Sequence, residues 1–466
     1  MHRRFCGAAA IVFGLLGAAV VGTTRGADAT EADPRLIASP DPSGQLRTYD
    51  INGALDLDNP FFQDLGTNGR RCVTCHQPAE GWTITPQGIQ LRFLRSNGTD
   101  PIFRNNDGSN CEGATPRTRA QERVAYSLLL DRGLIRIGLD LPADAEFVVD
   151  RVSDPYRCGA GSHAISAYRR PLPSTNLTFL SGVMWDGRES SATTTILQDL
   201  AHQANDATRG HAAAARDLTA EEVQEIVHFE SGLFTAQGWD YDAGALRADG
   251  AGGGPVALSH QPFFIGINDP VGLDPTGAAF DPDAFTLFTT WSDYPRRLRG
   301  SEYNARRAIA RGEALFDSKP ITLSGVAGLN GETFASGVTV PESFSGTCTI
   351  CHDTPNAGNH SVKAPLNIGL TAPTIAPYLP IYTLRNLSTG ETTETTDPGR
   401  ALVTGKWRDV GKFKGPVLRG LAARAPYFHN GSARTLEEVI DFYDTRFSIG
   451  FTAREKADLV AFLQAL

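Results

Sequence analysis

Two pentapeptides in this chain of 466 residues have spacings that do chemistry: Cys72-Val73-Thr74-Cys75-His76 and Cys348-Thr349-Ile350-Cys351-His352. Thiols at positions i and i+3 can add across the two vinyl groups of one porphyrin, and the His that follows reaches the iron from the same side. Each pentapeptide thus has the c-type haem attachment pattern. A redox dithiol or half of a zinc site would use the same thiols. A zinc site asks for more ligands at close spacing, and no further His follows His76 until His163. Two covalent c-type haems are therefore expected, one on Cys72 and Cys75 with His76, the other on Cys348 and Cys351 with His352.

An electron-transfer haem commonly takes a second strong ligand, often Met, which raises its potential. The chain has two Met, and one is Met1. Only Met184 remains, so at most one haem can be His/Met. His163, His202, His211, His228, His260, His360 and His429 are the other candidates, and most are expected to be surface or hydrogen-bonded histidines. An iron left open on one side would bind peroxide or dioxygen.

The elements that must position these groups show a repeat. Thr219-Ala220-Glu221-Glu222 precedes Val223, Ile226 and Val227, while Thr452-Ala453-Arg454-Glu455 precedes Leu459, Phe462, Leu463 and Leu466. Each has a Thr-x-x-Glu capping box ahead of apolar residues at helical spacing. Each haem motif thus opens a unit that a similar helix closes, and a helix over 304–316 leads into the second. The predicted fold is mainly α, with two cytochrome-c-like haem domains and long irregular insertions. The N-terminal haem domain is expected over 30–235 with an insertion at about 85–165. A linker or insertion over 236–300 and a C-terminal haem domain over 301–466 follow. Cys111 and Cys158 are expected either to pair as a disulfide across the first insertion or to be two buried thiols.

A basic start at His2, Arg3 and Arg4, an apolar stretch over 8–21 and Ala27-Asp28-Ala29 have the layout of a cleaved signal peptide over 1–29. The apolar stretch is short of the roughly 20 residues that span a bilayer. Cys6 leaves with this segment, and no later stretch is apolar enough to span. The mature protein is expected in the periplasm without a membrane span. A net charge of -9 argues against a nucleic-acid partner, and 41% hydrophobic with 20% charged residues argues against wholesale disorder.

Four motifs in order resemble a known family. Pro171-Leu172-Pro173-Ser174-Thr175-Asn176 with Met184-Trp185-Asp186-Gly187-Arg188, and Gly415-Pro416-Val417-Leu418-Arg419 with Ala425-Pro426-Tyr427-Phe428-His429-Asn430-Gly431, stand beside the two haem motifs. Together they resemble bacterial dihaem cytochrome c peroxidases and MauG-like proteins over most of residues 60–466. The resemblance implies that His76 and His352 bind the two irons and that Trp185 lies between the haems as an electron or hole relay. Fourteen residues after His429, where the peroxidases carry a ligating Met, this chain has Tyr443, as MauG-like proteins do. Leu436, Val439, Ile440 and Tyr443 share one helical face behind a Thr435/Glu438 cap, so Tyr443 can point inward as ligand or as core residue.

Gln203-Ala204 resembles the family's distal Gln-Ala, at longer spacing from Trp185. The Glu expected ten residues after Gln203 is Ala213, which leaves His211, and after it His202, to move a proton. For both, a solvent-facing place on a helix is the alternative. The family's calcium would want an Asn near Arg170 and Pro171, and none is there. The resemblance implies an oxidoreductase taking peroxide at the His76 haem and electrons from a small redox protein or another donor. An oxygenase using dioxygen on a hydrophobic substrate, as in the related rubber-cleaving dihaem enzymes, and a plain electron-transfer cytochrome are the alternatives.

Overall fold

The helices form where the sequence supplies both a cap and an apolar stripe. Thr219 and Thr452 each accept a hydrogen bond from the Glu backbone N–H three residues on, and that Glu reaches back, completing both capping boxes. The helices they open are Ala220–Gly232, burying Ile226 and Phe229, and Ala453–Gln464, burying Leu459, Phe462 and Leu463. At Leu436–Phe447 only half of the expected box is present. Thr435 caps the Glu438 N–H, while the Glu438 carboxylate takes the N–H of Arg434.

The helix expected over 304–316 runs Ser301–Ser318 and packs along Ala453–Gln464. Gly312 is required there: a Cβ would sit 2.0 Å from the carbonyl oxygen of Asp458. Beside it, Arg311 clamps the Asp458 carboxylate with bonds of 2.8 and 2.6 Å.

The computed structural model describes residues 33–159, 161–295 and 299–466. The expected signal peptide over 1–29, with Cys6, lies outside the described residues. Residues 34–466 form one compact unit. The expectation of a mainly α fold does not hold: among the described residues helix accounts for 31% and strand for 16%, in four sheets. All the strand pairings in them are antiparallel. The largest has the order Leu36–Pro40, Gly44–Asp50, Leu233–Asp240, Gly244–Ala245.

Two physical features hid the strands. Leu233–Asp240 is covered on both faces and buried along almost its whole length, so no alternation marks it. Ile381–Asn386 does alternate, burying Tyr382, Leu384 and Asn386, but finds its partner Phe147–Ser153 more than two hundred residues away. That pairing ties the stretch over 85–165 to the second half of the chain. The same stretch holds a helix, Pro86–Ser96, capped by Thr85, and a Cys111–Cys158 disulfide with Cα atoms 5.1 Å apart. Residues 236–300 supply Phe285, Phe288 and Trp291, all fully buried, to the core around Ser301–Ser318 and Ala453–Gln464.

That core holds two carboxyls one helical turn apart. Glu313 accepts the Phe288 N–H at 2.9 and 3.0 Å, and Asp317 accepts the Phe285 N–H at 3.3 Å. Burial raises Glu313 to about 7; burial and then the charge of Glu313 raise Asp317 to about 8. Both folded-state values lie above those of the unfolded chain, so the fold holds protons that the unfolded chain has released. Their contribution to stability falls as pH rises from about 4 to about 8, by at most about 1.4 kcal/mol per unit for each group. Asp317→Asn keeps the acceptor for Phe285 and removes the charge. It is expected to raise the guanidinium midpoint more at pH 8 than at pH 5, and an equal change at both would show that Asp317 does not titrate in this range.

Candidate haem centres

Each pentapeptide places its residues on the wall of a separate apolar cavity. Cys72, Cys75 and His76 line one of about 180 Å³; Cys348, Cys351 and His352 line one of about 250 Å³. The two histidines are held alike. His76 Nδ1 donates to the Trp82 carbonyl at 3.0 Å, and His352 Nδ1 donates to the Gly358 carbonyl at 2.7 Å, each six residues further on.

These bonds fix the proton on Nδ1 and leave Nε2 as a lone-pair donor, the arrangement of a metal-ligating His with its outer partner. Burial lowers both rings, His76 to about 4, which keeps them neutral and able to ligate. The local chain is shaped for this. A Gln77–Thr83 bridge and the Trp82 indole bond to Thr48 at 2.9 Å fix the Trp82 carbonyl. Gly358 has φ +72°, and a Cβ there would meet the Phe285 ring at 2.6 Å.

All four thiols are free, and burial pushes each above the usual thiol range. Among the described residues, the one group of three or more side chains set to hold a metal is Glu189, His202 and Asp206, which includes neither pentapeptide. Free thiol pairs in apolar cavities, each followed by a neutral His with its outer nitrogen tied back, fit covalent haem.

The N-terminal cavity also receives Met184, Trp185, Gln203 and His211. Gln203 lies on the helix Ile196–Gly210, and His211 follows it with Nδ1 on the Asp107 carboxylate. The His211 side chain is 40% exposed, at the rim of the cavity. His202 lines neither cavity: it bonds Glu189, and its side chain is 67% exposed, so the solvent-facing alternative holds for it. His163, His228 and His260 line neither cavity.

The C-terminal cavity receives Tyr443, His360 and His429. None of the hydrogen bonds among the described residues involves the Tyr443 hydroxyl, whereas those of Tyr126, Tyr168, Tyr378, Tyr382 and Tyr427 all have protein acceptors. His429 is 1% exposed with neither ring nitrogen partnered; it stacks on Phe413 at 4.0 Å and meets Trp185 edge-on at 6.2 Å.

Trp185 lines both cavities. Its indole donates to the Arg170 carbonyl at 2.8 Å, and its own carbonyl accepts the Lys414 N–H at 2.8 Å. Calcium does not fit the place the resemblance gives it. The buried Arg170 guanidinium already donates there to the carbonyls of Arg132, Gly133 and Arg424.

Sequence reasoning missed Glu230, in the N-terminal cavity wall and raised to about 8 by burial. An acid in the otherwise buried row Ile226, Phe229, Glu230 of a helix was its signal. Also missed were three cations, Arg170, Lys414 and Arg424, that line both cavities. Two of them flank the apolar motif 415–419 to 425–431, which was their signal.

The family described as RoxA-like, cytochrome c-like matches residues 412–449. Cytochrome-c peroxidase IdrP1 of Pseudomonas sp. (strain SCT) is 43% identical over 81 residues, 15% of this chain and 21% of that protein. Its namesake in Denitromonas iodatirespirans is 34% identical over 145 residues, 26% of this chain and 38% of that protein. Cytochrome c551 peroxidase of Nitrosomonas europaea is 32% identical over 127 residues, 26% and 31% of the two chains. Each match spans well under half of the relative's length. A solved MauG-like protein associated with microbial copper homeostasis covers 66% of this chain and 76% of its own, at 18% identity and a TM-score of 0.32. Over these stretches the chain is similar to cytochrome c peroxidases of three bacteria, and it builds the same His geometry twice.

Proposed function

We propose that this chain is a periplasmic dihaem c-type oxidoreductase of the peroxidase and MauG type, with peroxide reacting at the N-terminal haem. One observation carries the reading: two cavities, each with a thiol pair and a His tied back to the backbone six residues on, meet at Trp185. When bound, haem supplies an iron that takes peroxide and stores oxidising equivalents.

The chain's own residues do the rest. His76 Nε2 and His352 Nε2 are the proximal donors, each kept lone-pair outward by its backbone bond. Gln203 orients the bound oxidant by hydrogen bonding. His211, its ring held by Asp107, moves the proton at Nε2. Trp185 connects the two cavities, and Tyr443, in the same cavity as His352, would offer its phenol oxygen to the iron held there. Electrons enter from a small redox protein or another external donor.

The test is electron paramagnetic resonance of the ferric protein, before and after peroxide. A high-spin signal that peroxide removes is expected. Two low-spin haems indifferent to peroxide, with Met184 as the sixth ligand of one, would instead establish an electron-transfer cytochrome. Ala213, in the place of the family's Glu, favours a second reading: an oxygenase using dioxygen on a hydrophobic substrate. Oxygen uptake that depends on such a substrate and not on peroxide separates the two.

A further inference from the structure

Three basic side chains that this chemistry leaves unused, Arg170, Lys414 and Arg424, stand in the wall common to both cavities. Arg170 and Lys414 are 4% and 8% exposed, and Arg424 is half-buried. Their hydrogen bonds go to neutral carbonyls. Arg170 donates to those of Arg132, Gly133 and Arg424, Lys414 Nζ to that of Gly415 at 3.3 Å, and Arg424 Nη2 to that of Val417 at 3.0 Å. The Arg424 Nε is buried with no acceptor.

Among the described residues no carboxylate lies within ion-pair distance of the three, and Glu80 acts on Arg170 only from further away. Burial pushes all three down, Lys414 to about 8, Arg170 to about 9 and Arg424 to about 10. A buried ion without a counter-charge costs several kcal/mol, so three on the walls of the same two cavities call for anions that the polypeptide does not supply.

A haem brings its own. Its vinyl edge goes to the cysteines, and its opposite edge carries two propionate carboxylates. We propose that Arg170, Lys414 and Arg424 form a single cationic partition that receives propionates from both haems, so that the two cofactors share counter-charges. Arginine's planar fork matches a carboxylate in two bonds, and Lys414 adds a point charge on the same walls. Because Trp185 is bonded to the backbone of both Arg170 and Lys414, the same partition fixes its place between the cavities. The proposal rests on the dihaem reading, which a haem count by pyridine haemochromogen checks separately: fewer than two per chain ends that reading before the partition is tested.

With two haems present, Lys414→Met in the holoprotein is read by spectroelectrochemistry and by the propionate bending bands in resonance Raman. Removing a cation near both porphyrins disfavours the reduced state, so both midpoint potentials are expected to shift downward and the propionate bands of both haems to move. Lys414→Arg is expected to restore both. A shift confined to one haem, or unchanged potentials and bands in a less stable protein, overturns the proposal. Should Lys414→Met yield no folded holoprotein, the wild type decides. Hydrogen-bonded propionate bands for both haems support the partition, and a free-propionate band for either refutes it.

Discussion

If Tyr443 ligates the C-terminal haem as proposed, Tyr443→Phe is expected to change that haem's spectrum and potential while leaving the fold intact. Phe keeps the ring, which packs parallel to Phe447 at 6.4 Å and edge-on to Phe442 at 5.4 Å. The hydroxyl it loses makes none of the hydrogen bonds among the described residues, so little stability goes with it. As a free phenol Tyr443 is pushed well above its usual range, first by burial and then by the nearby thiols. A phenolate there therefore needs a metal to stabilise it.

A phenolate favours ferric iron, so its loss is expected to raise that haem's potential by at least about 59 mV, a tenfold change for a one-electron couple. Tyr443→Met, which creates a His/Met pair, is expected to raise it further. Redox titration with the electron paramagnetic resonance spectrum checks both. A Phe variant with wild-type spectrum and potential would show that Tyr443 is a core residue and not a ligand.

The largest stability effect is expected at Arg169. Its guanidinium is 1% exposed and lies between two buried carboxylates, bonding Asp186 through Nη1 and Asp397 through Nε and Nη2 at 2.7 and 2.9 Å. Burial alone would raise Asp186, yet Arg169 and Arg188 hold it down to about 2. Arg169→Met leaves Asp397 buried with no ion-pair partner and Asp186 with Arg188 alone at 3.1 Å, which costs about 3–5 kcal/mol.

The depressed carboxyl adds a pH signature. Wild-type Asp186 stabilises the fold above its unfolded value near 4, and that contribution fades as pH falls through about 2. In the variant the two carboxyls are raised instead, so the gap in denaturant midpoint is expected to narrow as pH is lowered toward 4. Adding Asp397→Asn is expected to return part of the loss. An Arg169→Met protein as stable as wild type at pH 7 would mean that the network carries little. Asp186 adjoins Trp185, and Arg169 stands over the Phe413 ring on which His429 stacks. The same change is therefore expected to loosen the Trp185–His429 contact.

Much of the site was legible because it is local. Two thiols and a His in five consecutive residues need no fold to be recognised, since the porphyrin sets their spacing. Capping boxes at Thr219 and Thr452 are equally local, a hydroxyl and a carboxylate satisfying N–H groups three residues apart. The scarcity of Met narrowed the ligand choices before any contact was known, and the i, i+3, i+4, i+7 row leading to Tyr443 placed it on an inward face.

What depended on distant partners stayed hidden. The strand pairing of Phe147–Ser153 with Ile381–Asn386 joins segments whose own patterns say nothing of each other, so a mainly α fold was expected where four sheets exist. His202 and His211 have similar local claims; the tertiary structure alone sends one, largely exposed, to the buried Glu189 and the other to Asp107 at the cavity rim. The convergence of Arg170, Lys414 and Arg424 on one wall is of the same kind. Covalent spacing and capping act within one turn of chain and can be read along it, whereas the cost of a buried charge depends on what the fold brings beside it. The sequence by itself thus singled out the two Cys-x-x-Cys-His segments as candidate haem attachment sites, each with its candidate proximal His. The tertiary structure decided which residues face them and which charges they meet.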